Sequence, residues 1–216
     1  MDARTWARTL GGLAALATAG AAAYVRFVLP WHARWGASDD EVGMPLPGDD
    51  IAPSPSMAST RAISIEAPPE AVWRWLVQIG QGRGGLFSYD WLENLVGSDI
   101  HTAYEIRPEL QQLAPGDKIR LGPAGRPYFL VQSVQPGEAM VLQAADPQTG
   151  TPAPASWTFV LLSQGNGLTR LVSRQRNQFE PTLANFLIWR VMIEPVSFLM
   201  EQKMLRTLKG LVESHA

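Results

Sequence analysis

Residues 195–211 read PVSFLMEQKMLRTLKGL, which sets Val196, Met200, Met204, Leu208 and Leu211 three and four positions apart. That spacing lines one face of an α-helix of about four turns or more. Pro195 kinks or restarts a helix, so the very apolar run Leu183 to Ile193, broken only by Arg190, is a distinct helical piece ahead of it. An apolar stripe of this length needs a partner surface, and the preceding residues supply one.

Five segments upstream look like strands: Lys118 to Leu121, Tyr128 to Val134, Ala139 to Gln143, Ser156 to Leu162 and Leu168 to Gln175. Turn residues separate them, at Pro123-Ala124-Gly125, Pro136-Gly137, Pro147 to Gly150 and Gly165-Asn166-Gly167. Short strands joined this way predict an antiparallel meander. A sixth strand, Thr60 to Glu66, alternates with Ile63 and Ile65 on one face. Pro68-Pro69 then opens a helix whose apolar face holds Val72, Trp75, Leu76 and Ile79. Ser88 to Val96 is a second short helix, with Ser88 as its expected cap and Trp91, Leu92 and Leu95 as apolar positions. The predicted class is α+β: a curved antiparallel β-sheet around a long C-terminal α-helix.

The glycines at 80, 82, 84 and 85 do not make a phosphate loop. The lysine followed by Ser or Thr is missing, and the loop follows a helix rather than a strand. The chain has 216 residues and a formal charge of −2, with no basic tract, so nucleic acid is not an expected partner. It contains no cysteine, which excludes disulfides, thiolate metal sites and cysteine nucleophiles. The three histidines, His32, His101 and His215, lie far apart, so no metal site and no cofactor is expected.

Thr9 to Val25 carries no charge and is flanked by Arg4, Arg8 and Arg26. With Phe27 to Leu29 included, it reaches the length of an N-terminal transmembrane helix, and Trp6 and Trp31 fall near the two interfaces. A cleaved signal peptide, ending near Ala21-Ala22-Ala23, is the competing reading, and a soluble helix a third. Basic residues on both sides leave the sidedness open. The expected organisation is an anchor and its flank over 1–36, an acidic, proline-rich linker over 37–57, and one domain over 58–216. Met44, Leu46 and Ile51 could pin the linker to the domain surface. The expected location is a membrane, through a single-pass anchor, and the oligomeric state is left open.

Several stretches together resemble the START-like, or SRPBCC, superfamily. They are Ile65 to Trp73 (IEAPPEAVW), Trp157-Thr158-Phe159, Thr169-Arg170-Leu171 and Met200 to Leu205 (MEQKML). Trp35-Gly36-Ala37, Leu46 to Asp49 and Gln78 to Asn94 look like a bacterial, membrane-anchored subgroup of it. The resemblance implies the helix-grip fold, with a cavity between sheet and long helix. Members bind lipids, sterols or polyketides, and some are polyketide cyclases or dehydrases. Fold alone does not choose among these.

Candidate ligand-binding residues follow from the inward faces: Trp75, Tyr128, Leu130, Trp157, Phe159, Met200 and Met204. Plain core packing competes with that role for each of them. Arg170, Arg174 and Arg176 share a strand face. A two- or four-residue hairpin loop at Gly165-Asn166-Gly167 places Arg174 beside Trp157 at the cavity mouth, suited to an anionic head group; a three-residue loop reverses this. Arg83, Tyr89, Asp90 and Glu93 form the densest polar cluster. Asp90 or Glu93 is positioned to bond Arg83 and lock the glycine loop. In the alternative, Arg83, Tyr89 and Asp90 are catalytic in a cyclase-like reaction. The expected partner is a hydrophobic or amphipathic small molecule.

Overall fold

The computed structural model describes residue 12 and residues 19–215. The segment expected to form an anchor therefore lies largely outside the described residues, as do Arg4, Trp6 and Arg8. Six strands form one antiparallel sheet in the order β1-β6-β5-β4-β3-β2. They are β1 (Met57–Ile65), β2 (Lys118–Arg120), β3 (Tyr128–Gln135), β4 (Ala139–Ala145), β5 (Pro152–Ser163) and β6 (Thr169–Asn177). Bulges interrupt the pairing between Val131 and Ser133 and between Gln143 and Ala145. Such insertions bend a strand and increase its twist, which curves the sheet.

Helix α1 (Leu29–Ala33) and the single turn α2 (Asp39–Gly43) precede the sheet; α3 (Pro69–Leu76) and α4 (Asp90–Leu95) follow β1. The chain closes with α5 (Leu183–Phe186), a π-helical segment over Leu187–Ile193, and α6 (Glu194–Ser214). The two π-helical segments, Tyr24–Val28 and Leu187–Ile193, each end just ahead of a proline, Pro30 and Pro195. Proline cannot donate to the carbonyl four residues back, and a widened turn accommodates the ring without breaking the rod. The predicted restart at Pro195 is thus a change of helical pitch inside one continuous helix.

The concave face of the sheet grips α6. Met204, Leu205, Leu208, Leu211 and Val212 are buried against Ile65, Phe159, Leu161 and Leu171, with Val72, Trp75 and Leu76 of α3 completing the core. Among the described residues, the helix over Leu183–Ser214 is long and apolar enough to cross a membrane. Its C-terminal half is this core helix, whereas Leu183, Leu187, Ile188, Val191 and Met192 in its first half are exposed.

Residues 34–56 do not hang free. Leu46 is buried against Ala62, Ala139, Val160 and Val172 on the convex face of the sheet, and Ala37 and Met44 pack beside it. Ser38 caps α2 in a full capping box with Glu41. Gly48 has φ +82, and a side chain there would strike Val141, so glycine lets the strap lie flat on the sheet.

Candidate functional site

A cavity of about 470 Å³ lies between the concave face and the first turns of α6. Its walls are mostly apolar: Phe129 and Trp157 from the sheet, Phe179 after β6, Trp189 and Ile193 from the π-helical segment, and Met200 from α6. Phe179 and Trp189 stack with ring centroids 5.2 Å apart at one side of it.

Of the sequence-derived candidates, Tyr128, Trp157, Met200 and Met204 line this cavity and four others do not. Phe159 is fully buried beneath Trp157, 4.8 Å between ring centroids. Trp75 packs edge-on to Phe87 in the core. Leu130 pairs with Gln143 and faces away from α6. A simple alternation puts Tyr128, Leu130 and Val134 on one face. The bulge after Val131 changes the phase mid-strand, so Phe129, Val131 and Val134 face the core instead.

Arg174 is the largest correction. Trp157 pairs with Gln175, and Thr158 with Arg174. The hairpin has a three-residue loop, Gly165 to Gly167, closed by the Gln164 N–H on the Leu168 carbonyl (2.9 Å). Odd positions therefore pair with odd ones, and all three arginines point to the convex face. There they hold the strap. Arg174 donates to the carbonyls of Glu41 (2.7 Å), Val42 (3.0 Å) and Met44 (2.8 Å), and to the Asp49 carboxylate (2.9 Å). Arg170 binds Glu41 at 2.6 and 2.9 Å, which holds that carboxyl below its ordinary range, and Arg176 donates to the Ala52 carbonyl (2.9 Å). Protein acceptors of the strap thus occupy these side chains, away from the cavity.

The polar cluster of the glycine loop is organised differently from the expectation as well. Arg83 donates to the carbonyls of Val77 (3.0 Å) and Leu110 (3.2 Å), not to Asp90 or Glu93. Asp90 accepts from the Thr102 N–H (2.8 Å) and hydroxyl (2.7 Å). Tyr89 sits under Lys203, 5.9 Å from ammonium to ring centroid. None of the three lines the cavity. Ser88 does not cap α4; its hydroxyl donates to the Met200 carbonyl (2.9 Å), tying the loop to α6.

Two carboxylates, Glu201 and Glu93, reach the cavity, and neither was among the expected cavity groups. Glu201 is on α6. Its oxygens accept from the Ser173 hydroxyl (2.5 Å), the Gln175 amide (3.0 Å) and the Arg61 guanidinium. Ser173 in turn accepts from the Trp157 indole N–H (2.9 Å). Arg61, 1% exposed, also contacts Glu194 (3.3 Å) and donates to the His32 carbonyl (2.9 Å). Phe198 covers its guanidinium at 5.4 Å. This buried network runs from α1 to the cavity floor. Both ends carried a readable signal: Glu201 interrupts the apolar stripe of α6 one turn before Met204, and Arg61 alternates with Ile63 and Ile65.

Glu93 is the opposite case. It is 4% exposed, it lines the cavity, and neither carboxylate oxygen has a hydrogen-bond partner among the described residues. Burial, with the negative charge of Asp90 adding to it, pushes its carboxyl up from 4.5 to about 7. An unpaired buried carboxyl costs stability, and nothing among the described residues compensates it.

No family model matches this chain, and no curated protein matches it. Solved structures similar in overall shape include protein MLL2253 from Mesorhizobium loti (18% identity, 74% of this chain, 99% of that chain, TM-score 0.41). Another is the Aha1 dimer from Colwellia psychrerythraea (21% identity, 68% of this chain, 93% of that chain, TM-score 0.38). A third is PFC0360w, an HSP90 activator from Plasmodium falciparum (13% identity, 60% of this chain, 79% of that chain, TM-score 0.36).

Proposed function

We propose that this protein binds a hydrophobic or amphipathic small molecule in the cavity between sheet and C-terminal helix, at a membrane to which its N-terminal segment tethers it. The observation that carries the reading is the cavity itself: about 470 Å³, within the range of small-molecule sites, with walls of aromatic, aliphatic and methionine side chains. Methionine suits such walls because its flexible, polarisable side chain adapts to ligand shape. The START-like resemblance of the sequence points the same way.

The membrane part rests on two features. One is the uncharged run Thr9 to Val25. The other is the exposed apolar surface of Leu183, Leu187, Ile188, Val191 and Met192, which adjoins Trp189 and Ile193 at the cavity. Native mass spectrometry of the full chain released from a mild detergent tests the binding: a co-purified or added lipid or polyketide-like molecule is expected to remain bound. A chain that carries none and takes up none refutes it. Fractionation with and without residues 1–18 tests the tether; unchanged membrane retention after their removal refutes it.

An enzyme of the polyketide cyclase or dehydrase type is the second reading, favoured by Glu93. A carboxyl titrating near neutrality at an apolar cavity suits general acid–base work. It predicts a turnover that Glu93→Gln abolishes while ligand is still bound.

A further inference from the structure

The polar groups of the cavity wall are unevenly used. Three of its donors are committed inside the protein: the Ser88 hydroxyl to Met200, the Trp157 indole N–H to Ser173, and the Gln175 amide to Glu201; the Tyr128 and Ser197 hydroxyls and the Asn177 amide also line it. Glu201 is satisfied by three partners, among them the Arg61 guanidinium that it shares with Glu194. The wall group that is both fully buried and without a partner among the described residues is an acceptor, the carboxylate of Glu93. Among the described residues no lysine, arginine or histidine lines the cavity, and the convex-face arginines are bound to the strap.

We infer that the ligand carries a hydrogen-bond-donating head, an amine or an alcohol on an apolar body, which docks on Glu93, and that the cavity rejects carboxylate heads such as those of fatty acids. This rests on the cavity-binding reading above and adds the head-group chemistry to it. The physical reason is pairing. A donor satisfies oxygens that otherwise stay buried and bare, whereas an anionic head adds a third negative charge beside Glu93 and Asp90 with no cation to meet it. A cationic amine gains most, since it also relieves the repulsion between Glu93 and Asp90.

The test uses the full chain in a non-ionic detergent and three probes that differ only in head group: decylamine, decanol and decanoate. Binding is measured at about pH 8, where Glu93 is largely ionised and the amine is still cationic. The expected order is decylamine, then decanol, then decanoate, with decylamine ahead of decanoate by roughly tenfold or more. Glu93→Gln, which keeps the shape of the side chain, should remove most of the preference for decylamine over decanol and let decanoate bind more tightly. If decanoate binds as well as decylamine, or if Glu93→Gln leaves the order unchanged, the head-group inference is overturned and cavity binding stands. If none of the probes binds either protein, the binding reading itself falls and takes the inference with it.

Discussion

Replacing Glu93 with glutamine should stabilise the protein, and by an amount that depends on pH. The side chain is buried without a partner, and its carboxyl is raised from 4.5 to about 7. A raised carboxyl pKa means that the folded state holds its proton more tightly than the unfolded one. Its favourable contribution is therefore fully present below about 4.5 and is lost as pH rises to about 7. At 1.36 kcal/mol per pKa unit the displacement corresponds to about 3 kcal/mol; water entering the cavity lowers this, so about 2–3 kcal/mol is the expected range. Glutamine has the same shape and does not titrate. Denaturant unfolding of the native protein and Glu93→Gln, each measured at about pH 4 and about pH 8, isolates the effect because every other titrating group cancels. The two proteins should be nearly equal in acid, and the variant ahead by about 2–3 kcal/mol in base. A gain that is the same at both pH values, or a loss at the higher one, refutes the claim that Glu93 is an uncompensated buried acid.

Arg61→Leu leaves Glu194 and Glu201 buried without their cation, so unfolding stability should fall by about 3–5 kcal/mol, read by denaturant midpoint. Arg174→Ala removes the donor shared by three strap carbonyls and should cost about 2–3 kcal/mol, with faster limited proteolysis between residues 37 and 56. Met200→Trp places a larger ring in the cavity and should weaken uptake of decylamine by roughly tenfold or more in a binding titration, with little change in melting temperature.

The sheet and its closing helix were legible because both rest on periodicity: alternation in the strands and steps of three and four after Pro195. The cavity wall was half legible. Trp157, Met200 and Met204 sit where one undisturbed period puts them, while Leu130 was misplaced because a bulge changes phase without leaving a residue signature. Arg174 turned on a single loop length. A strand's faces exchange when the register slips by one, so whether the hairpin loop holds two, three or four residues decides the destination of three arginines at once. Glu93 could not be singled out, because its meaning lies in what is missing around it, and the absence of a partner is a property of three dimensions.

The strap changes what counts as the domain. A proline-rich acidic stretch reads as a spacer, yet residues 37–53 supply the partners of Arg170, Arg174 and Arg176 and bury Leu46 on the sheet. Removing everything before residue 58 would leave Arg174, 4% exposed in place, facing water on a bared apolar surface. The domain therefore begins well before β1. It also begins close to the cavity: Trp31 and His32 of α1 pack on Phe198, with His32 stacked at 4.0 Å, and the His32 carbonyl meets the same Arg61 that binds Glu201 on the cavity floor. The N-terminal flank thus shares its contacts with the turns of α6 that carry Ser197, Met200 and Glu201. Under the proposed membrane reading, a tether joined there would hold the cavity beside the exposed apolar half of the helix, within reach of an amphipathic molecule in the bilayer.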